Sequence, residues 1–555
     1  MSRPSSPRSP LALVALTAAL ALPGAGCLDH PLKQVQAEGA QVGSATVNVV
    51  PNRDVDVLFV IDNSGSMAEE QANLAANFDA FVGVLDAVDA NYRIAVVTTD
   101  NGDPRDPKAI HDAGGMRLSS CRDRLSADGM AGGEFIFDGF NAEFACTDNC
   151  SLGDAELEVQ PTEIGVGAGG AAPRRWIEKL TGRTNLAEGV DPAAAFACFG
   201  PQGINGSGYE APMEAMYRAL AKSEESGSPN FGFLREDAHL LVVFVTDEVD
   251  CSFDPKHDAI FQGNHVFWGA DDPFATSAVC WRAGVECSGA GPEYGECHAV
   301  DRDESGAAGA SAADAVLYPV DRYVDLLAKI QADKQGRNPN LLVAVSTING
   351  VPVGYEKGGV SIPYGESADA EDQGLFGVAP GCVAGEALAR PPVRLRELAE
   401  AFQIGAEPDS YSICQGDYTG ALERMAAKLT AKIRPGCVTA CVRDVVVETP
   451  ELDPSCRVTE VQEDGQAAVL EHCEAAGEGW AVPEGVDACF VYRRDPGGVT
   501  PEVRDDMSAP SEGASCADEG WNLEIEVLRS APARSGARIQ AECSVDSDAV
   551  KGACL

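Results

Sequence analysis

Val55 to Ile61 reads VDVLFVI, an apolar run with little polar alternation, which is the pattern of a strand buried on both faces of a sheet. Leu74, Phe78, Phe81, Val82, Leu85 and Val88 then fall on one face of a long helix, and Tyr92 to Thr98 reads as the next strand. Strand, helix and strand at this spacing make a parallel crossover unit. The alternation returns further on. Met213, Met216, Tyr217 and Leu220 mark a helix, His239 to Asp247 a strand, and Tyr323, Leu326, Leu327 and Ile330 another helix. Leu341 to Val345 and Tyr411 to Cys414 read as strands, with helices at Leu395, Leu398 and Phe402 and at Leu422, Met425, Leu429 and Ile433. The pattern predicts an α/β domain over residues 53–435, a doubly wound, mostly parallel sheet.

Two stretches interrupt it. Residues near 101–203 and 250–315 are rich in Gly, Ala, Asp and Cys and carry only scattered elements, so they read as insertions braced by disulfides. Since the first leads into Ser207, part of it is expected on the same face as the turn described next. After Pro435 and Gly436 the character changes, and residues 436–555 hold short β-type runs at Val445 to Val447, Phe490 to Tyr492 and Leu523 to Leu528. This predicts a small, Cys-rich, mainly β module.

The candidate chemistry lies where the first strand ends. Asp62, Ser64 and Ser66 sit at alternate positions of a turn eased by Gly65. In an open α/β sheet ligands bind outside the carboxyl ends of the strands. A carboxylate and two hydroxyls offer only hard oxygen donors, which suit Mg²⁺, Ca²⁺ or Mn²⁺ and not zinc. This D-x-S-x-S turn after a buried strand resembles the metal-ion-dependent adhesion site (MIDAS) of von Willebrand factor A domains, the fold also used by integrin inserted domains. The resemblance implies two further pieces. One is a hydroxyl residue opening a later helix, for which Ser207 in Gly206-Ser207-Gly208-Tyr209-Glu210 stands where the family usually has Thr; the other is an aspartate ending another buried strand, which is Asp247 in HLLVVFVTD. Mg²⁺ is the ion the resemblance favours. Beyond Asp247, the residues Glu248, Asp250 and Asp254 read either as a second cation site or as a solvated acidic loop.

Charge and cysteines place the chain. With Lys plus Arg at 41 and Asp plus Glu at 86, the formal charge of -45 repels phosphate backbones, which argues against nucleic acid as a partner. Arg3 and Arg8 precede an apolar run from Leu11 to Leu22, too short to span a bilayer, which takes about 20 residues, and right for the core of an export signal. Small residues followed by Cys27 resemble a bacterial lipoprotein cleavage site, with Gly24 at the position where Leu is usual. The expectation is a signal peptide over residues 1–26, a lipid on Cys27, a polar tether over residues 27–52, and a protein anchored at the cell envelope, on the outer membrane or cell surface. Ordinary secretion or a periplasmic location is the alternative. Removing Cys27 from the 19 cysteines leaves 18, ten from Cys121 to Cys414 and eight from Cys437 to Cys554, so each region can pair within itself.

The resulting expectation is a binding protein of the cell envelope that uses a divalent ion to engage an acidic group of a protein partner. A structural envelope protein with a fold-stabilising ion is the alternative. An enzyme is not expected, because the seven histidines are scattered and H-E-x-x-H, G-x-S-x-G and P-loop patterns are absent. In the resembled family the last helix of the sheet domain shifts with the metal site. Here that helix, about Gly420 to Ile433, runs through Pro435 and Gly436 into Cys437, so the join either transmits such a shift or holds the helix rigid.

Overall fold

The computed structural model describes residues 42–48, 53–88, 90–105, 112–125, 133–164, 170–269, 272–338, 340–385, 387–430, 432, 436–446, 448–449, 451–462, 465–477, 479–495, 500–507, 516–530, 537–546 and 554. The expected signal peptide, Cys27 and most of the tether lie outside them. Met1–Val42 and Gly43–Leu555 form separate units, and the account below concerns the second.

β1 (Val42–Asn48), which lies in that unit from Gly43 onward, is followed by a seven-stranded sheet made of β2 (Asp54–Ile61), β3 (Asn91–Thr98), β4 (Ile177–Leu180), β5 (Arg183–Thr184), β6 (His239–Val245), β7 (Val343–Asn349) and β8 (Ser410–Ser412). Their order across the sheet is β8-β7-β6-β2-β3-β4-β5. The five strands from β8 to β3 are parallel, while β4 and β5 are antiparallel additions at one edge. The sheet is therefore mostly parallel, as the apolar runs imply. Chain order reverses between β2 and β6, and that reversal opens a crevice beyond their carboxyl ends.

Helices cover both faces because the buried strands need apolar partners on each. Val55, Val57, Phe59 and Ile61 of β2 pack with α1 (Ala68–Ala87), α2 (Pro192–Phe199) and α6 (Thr419–Thr430). Leu58 and Val60 point the other way, against α3 (Pro212–Glu224), α4 (Val320–Gln335) and α5 (Val393–Ala401). On the first face Phe59 meets Phe78 and Phe196 edge-on or tilted, each at 5.4 Å between ring centroids. None of the helices among the described residues is long and apolar enough to cross a membrane.

Two sequence expectations change. The stretch near 101–203 is not wholly an insertion, since it supplies β4, β5 and α2. These strands are four and two residues long, too short for periodicity to register, and β4 is fixed instead by the ion pair from Arg93 Nε on β3 to Glu178 Oε2 at 2.6 Å. The tether is likewise corrected over Val42–Asn48, which forms a strand hydrogen-bonded to β14 of the C-terminal part. Its small residues, VGSATVN, alternate without the bulk that marks a strand.

The C-terminal part is mainly β, as expected. It holds β9 (Cys456–Val461), β10 (Ala467–Val469), β11 (Glu471–His472), β12 (Ala488–Arg493), β13 (Glu524–Arg529) and β14 (Arg538–Asp546). One sheet runs β1-β14-β9-β10 and another β11-β12-β13. Val445 to Val447, read as a β-type run, is not strand at its described residues Val445 and Val446.

Nine disulfides take up the 18 cysteines after Cys27. Cys121–Cys146, Cys150–Cys198, Cys251–Cys280, Cys287–Cys297 and Cys382–Cys414 lie in the first region. Cys437–Cys516, Cys441–Cys554, Cys456–Cys543 and Cys473–Cys489 lie in the second. No bridge joins the two regions, which agrees with their even counts.

Candidate metal centre

Asp62 is the residue that follows β2, and Thr246 and Asp247 follow β6, so both strands deliver polar groups into the crevice at the reversal. Asp62 is fully buried. Its N–H donates to Val245 O at 2.9 Å, while its Oδ1 accepts from the Ser64 N–H at 2.8 Å and its Oδ2 from Thr246 Oγ1 at 2.5 Å. Ser64 Oγ and Ser66 Oγ lie 3.3 Å apart. Ser66 lies close enough to the Asp247 carboxyl to favour its charged form. The fold thus brings Asp62, Ser64, Ser66 and Asp247 together.

Ser207 sits differently. It lies five residues before Pro212, where α3 begins, and so does not open the helix. Its Oγ donates to Gly102 O at 3.4 Å and accepts from the Tyr209 N–H at 3.1 Å. Its loop is nonetheless stitched to the Asp62 turn, because the Gly206 N–H donates to Asn63 O at 2.8 Å. A Cβ on Gly206 would stand 2.5 Å from the Asn63 side chain, so any other residue here would force Asn63 to move. From the same loop Glu210, 2% exposed, enters the cluster within hydrogen-bond reach of the Asp62 carboxylate, and Thr99 Oγ1 donates to Glu210 Oε2.

Sequence reasoning missed Glu210, Thr99, Thr246, Glu70 and Gln71. Gln71, in the first turns of α1, is the clamp. Its Nε2 donates to Asp62 O at 2.7 Å and Gly203 O at 2.8 Å, and its Oε1 accepts from the Gln202 and Gly203 N–H groups at 2.7 and 3.1 Å. Thr246 had a signal, since it immediately precedes Asp247. Glu210 ends the quoted GSGYE but is not a hydroxyl residue.

Electrostatically the crevice is acidic beyond what its hydrogen bonds balance. Burial raises the Asp62 carboxyl above its ordinary range, and burial followed by the Asp62 charge pushes Glu210 and Asp247 well above theirs. Burial also lifts Glu70 to about 7 and Glu248 to about 8. Two like charges at ~4 Å cost about 4 kcal/mol at an effective dielectric of ~20, so five such carboxyls cannot all ionise without a counter-charge. Glu70 Oε2, Glu210 Oε1, Asp247 Oδ1 and Glu248 Oε2 are buried with no hydrogen-bond donor.

The second acidic site considered over Glu248, Asp250 and Asp254 does not form. Glu248 feels the charges of Asp62 and Arg390, Asp250 is paired with Arg394 Nε at 3.0 Å and Ser252 Oγ at 2.6 Å, and Asp254 accepts from the Lys256 N–H at 3.1 Å. Alternation along the loop sends neighbouring carboxylates to different partners. The first inserted region does reach the site, since a Cβ on Gly65 would stand 2.6 Å from the ring of Phe137, itself 46% exposed.

No protein-family model and no curated protein matches the chain. Among solved structures, the pilus adhesin SpaC from Lactobacillus rhamnosus GG, in an open conformation, aligns over 91% of this chain and 41% of that one, at 9% identity and a TM-score of 0.27. A second SpaC structure aligns over 90% and 41%, at 9% identity and 0.26. The adhesive tip pilin GBS104 from Group B Streptococcus agalactiae aligns over 91% and 82%, at 10% identity and 0.25. This chain spans less than half the length of SpaC. TM-scores of this size establish neither a shared fold nor a shared role.

Proposed function

We propose that this chain is an exported, cell-surface binding protein of the von Willebrand factor A type, which holds a divalent metal ion at Asp62, Ser64, Ser66 and Asp247 and engages a carboxylate of a protein partner through it. The observation that carries the reading is the set of buried carboxyl oxygens without donors beside two serine hydroxyls, at the point where strand order reverses. Oxygen donors alone suit a hard ion, Mg²⁺ first, with Ca²⁺ or Mn²⁺ as alternatives. The residues fit such an ion. Asp62 and Asp247 would supply carboxylates, Ser64 and Ser66 hydroxyls, and Glu210, Glu248 and Glu70 the surrounding negative charge. Ser207, with its hydroxyl on Gly102 and Tyr209, joins at most through water.

An ion at a surface crevice whose charge is incompletely balanced binds a carboxylate directionally. Ser66 is exposed while Asp62 and Ser64 are buried, so an incoming group would approach from the Ser66 side. Nine disulfides support an oxidising, extracytoplasmic location, and Cys27 is the residue for a lipid anchor to the envelope. No catalytic role is assigned. The alternative, an ion that only stabilises the fold, draws on the full burial of Asp62.

Capture of envelope proteins on the full chain, with Mg²⁺ and again with EDTA, tests the reading. A partner retained only with Mg²⁺ and lost with Asp62→Ala is expected. Mg²⁺-dependent melting without any Mg²⁺-dependent partner would leave the stabilising role; no Mg²⁺ effect on melting would end both.

A further inference from the structure

We propose a second cation site in the C-terminal part, formed by Asp495, Asp505 and Asp506 and selective for a hard divalent ion such as Ca²⁺. The three residues each offer a carboxylate oxygen, and these oxygens lie within 4.8 Å of one another. They are brought together by backbone, not by chance on a flexible surface. The Arg494 and Asp495 N–H groups donate to Asp505 O at 2.8 and 3.2 Å, and the Met507 N–H donates to Asp495 O at 3.3 Å. The Thr500 N–H and Oγ1 fix Asp495 Oδ2 at 2.7 and 2.9 Å, which holds that side chain in place.

Independent of the clustering, the site contains buried oxygens that lack donors. Asp505 is 7% exposed, and its Oδ1 has no hydrogen-bond donor; Asp506 Oδ1 is likewise buried without one. Nearby positive charge does not answer them. Arg494 turns Nη2 to Glu451 at 3.2 Å and Nη1 to Asp453 at 3.0 Å, which leaves its Nε at 3.8 Å from Asp505 Oδ2. Arg504 lies over the Trp480 ring, 5.5 Å from its centroid. Leaving buried carboxylate oxygens unpaired costs about 1–3 kcal/mol each or more, and a bound cation removes that cost.

Of the three, Asp505 lines a cleft of about 450 Å³, together with Glu451, His472, Trp480, Tyr492 and Arg494. Ca²⁺ takes six to eight oxygens in irregular geometry, so three carboxylates completed by water suit it better than the strict octahedron of Mg²⁺. Among the described residues the cluster offers carboxylate oxygens alone, a donor set that suits a hard ion better than zinc. The proposal is independent of the Asp62 centre.

Trp480 gives the readout, because its Nε1 donates to the carbonyl of Arg504, the residue before Asp505. Tb³⁺ replacing Ca²⁺ should emit on tryptophan excitation. In the full chain, Asp505→Asn with Asp506→Asn is expected to lower Ca²⁺ affinity of one calorimetric site at least tenfold and to abolish the emission. Trp480→Phe should lose most of the emission while keeping the Ca²⁺ affinity, and Asp62→Ala should keep both. Unchanged Ca²⁺ binding in the double variant overturns the proposal. Should that variant misfold, hydrogen exchange of the wild-type chain decides: protection of residues 493–495 and 503–507 by Ca²⁺ upholds the site, and its absence overturns it.

Discussion

Thr246 Oγ1 donates to Asp62 Oδ2 at 2.5 Å, and Asp62 returns a bond from its N–H to Val245 O, so the ends of β2 and β6 are joined through the residue proposed to hold the ion. A hydroxyl donor to a charged acceptor is worth about 1.5–3 kcal/mol. Thr246→Ala is therefore expected to misplace the Asp62 carboxylate and weaken Mg²⁺ binding about tenfold, while Asp62→Ala abolishes it. Melting with and without Mg²⁺ is the measurement. At an ion concentration about 100 times Kd the wild type should gain about 2.7 kcal/mol. A Thr246→Ala protein that gains as much as wild type at subsaturating Mg²⁺ would show that this bond does not position the ligand.

Gln71 carries a separate prediction. Replacing it with Ala strips donors or acceptors from Asp62 O, Gly203 O and the Gln202 and Gly203 N–H groups, in a place where Gln71 is 1% exposed. Each unpaired buried group costs about 1–3 kcal/mol, part of which entering water recovers. A loss of roughly 3–5 kcal/mol in urea unfolding is expected, with weaker Mg²⁺ binding. Gln71→Glu is the informative comparison, since it keeps an acceptor but adds a charge to an already acidic crevice. A change below about 1 kcal/mol for Gln71→Ala would mean the loop holds itself in place.

How much of this was legible follows from what each residue does. The strand of Val55 to Ile61 and the turn at Asp62, Ser64 and Ser66 are local, and a local pattern can be read from a chain. Asp247 was legible because an apolar strand ends beside it. Glu210 and Gln71 were not, because each acts across the fold, Gln71 over 132 positions to Gly203 and Glu210 over 111 to Thr99. Spacing carries no trace of such contacts. β4 and β5 were invisible for the same reason: an edge strand of two to four residues is defined by its neighbour, not by its own periodicity.

The disulfide pattern predicts that thiol labelling under denaturing, non-reducing conditions finds no reactive cysteine from Cys121 onward. Cys150–Cys198 fastens α2 to the first inserted region across 48 residues. By loop entropy, Cys150→Ser with Cys198→Ser should cost up to about 4 kcal/mol. Because α2 packs Phe196 on Phe59 of β2, the loss should appear in global unfolding, not only in local proteolysis of the inserted region. Unchanged global stability with faster nicking near residues 126–169 would restrict the bridge to a local role.

His239, at the start of β6, gives a pH prediction. It is fully buried, and burial, with Lys334 adding to it, lowers its pKa to about 3 from about 6.5. Below pH 6.5 the unfolded chain binds a proton there that the folded chain refuses, so this residue's contribution falls as pH drops from about 6.5 towards 3. The slope is about 1.4 kcal/mol per pH unit, or about 3 kcal/mol between pH 6.5 and 4. Asp62, Glu210 and Asp247, with raised pKa values, work in the opposite sense, so the wild-type curve alone is not diagnostic. The difference between wild type and His239→Gln isolates the residue. Urea midpoints at several pH values should converge on acidification, and parallel curves would show that His239 is protonated in the folded state.

The last prediction concerns whether the C-terminal part senses the metal centre. The two lie at opposite ends of the sheet. Arg53 Nη1, just before β2, meets Glu526 Oε1 at 3.0 Å, and Thr181 Oγ1 donates to Arg529 O at 2.7 Å, whereas Asp62 follows the other end of β2. Eight strand residues at about 3.3 Å each separate them by about 26 Å. α6 starts just after Tyr418, which is close enough to Glu70 and Asp247 to feel their charge, and precedes the C-terminal part in the chain. It is pinned along its length. Thr419 Oγ1 donates to Asn77 Oδ1 at 2.7 Å, Lys428 Nζ reaches Asp409 Oδ1 at 2.5 Å, and Leu422, Met425 and Leu429 are buried between. A shift along its axis would break both bonds and repack three core side chains, costing several kcal/mol. A rigid join is therefore expected. Glu526→Ala with Thr181→Ala, which loosens the docking without touching α6, should leave Mg²⁺ affinity within about twofold of wild type, under roughly 0.4 kcal/mol. A tenfold change would reveal coupling of about 1.4 kcal/mol, within the range ordinary for linked sites, and would require α6 to have a second position.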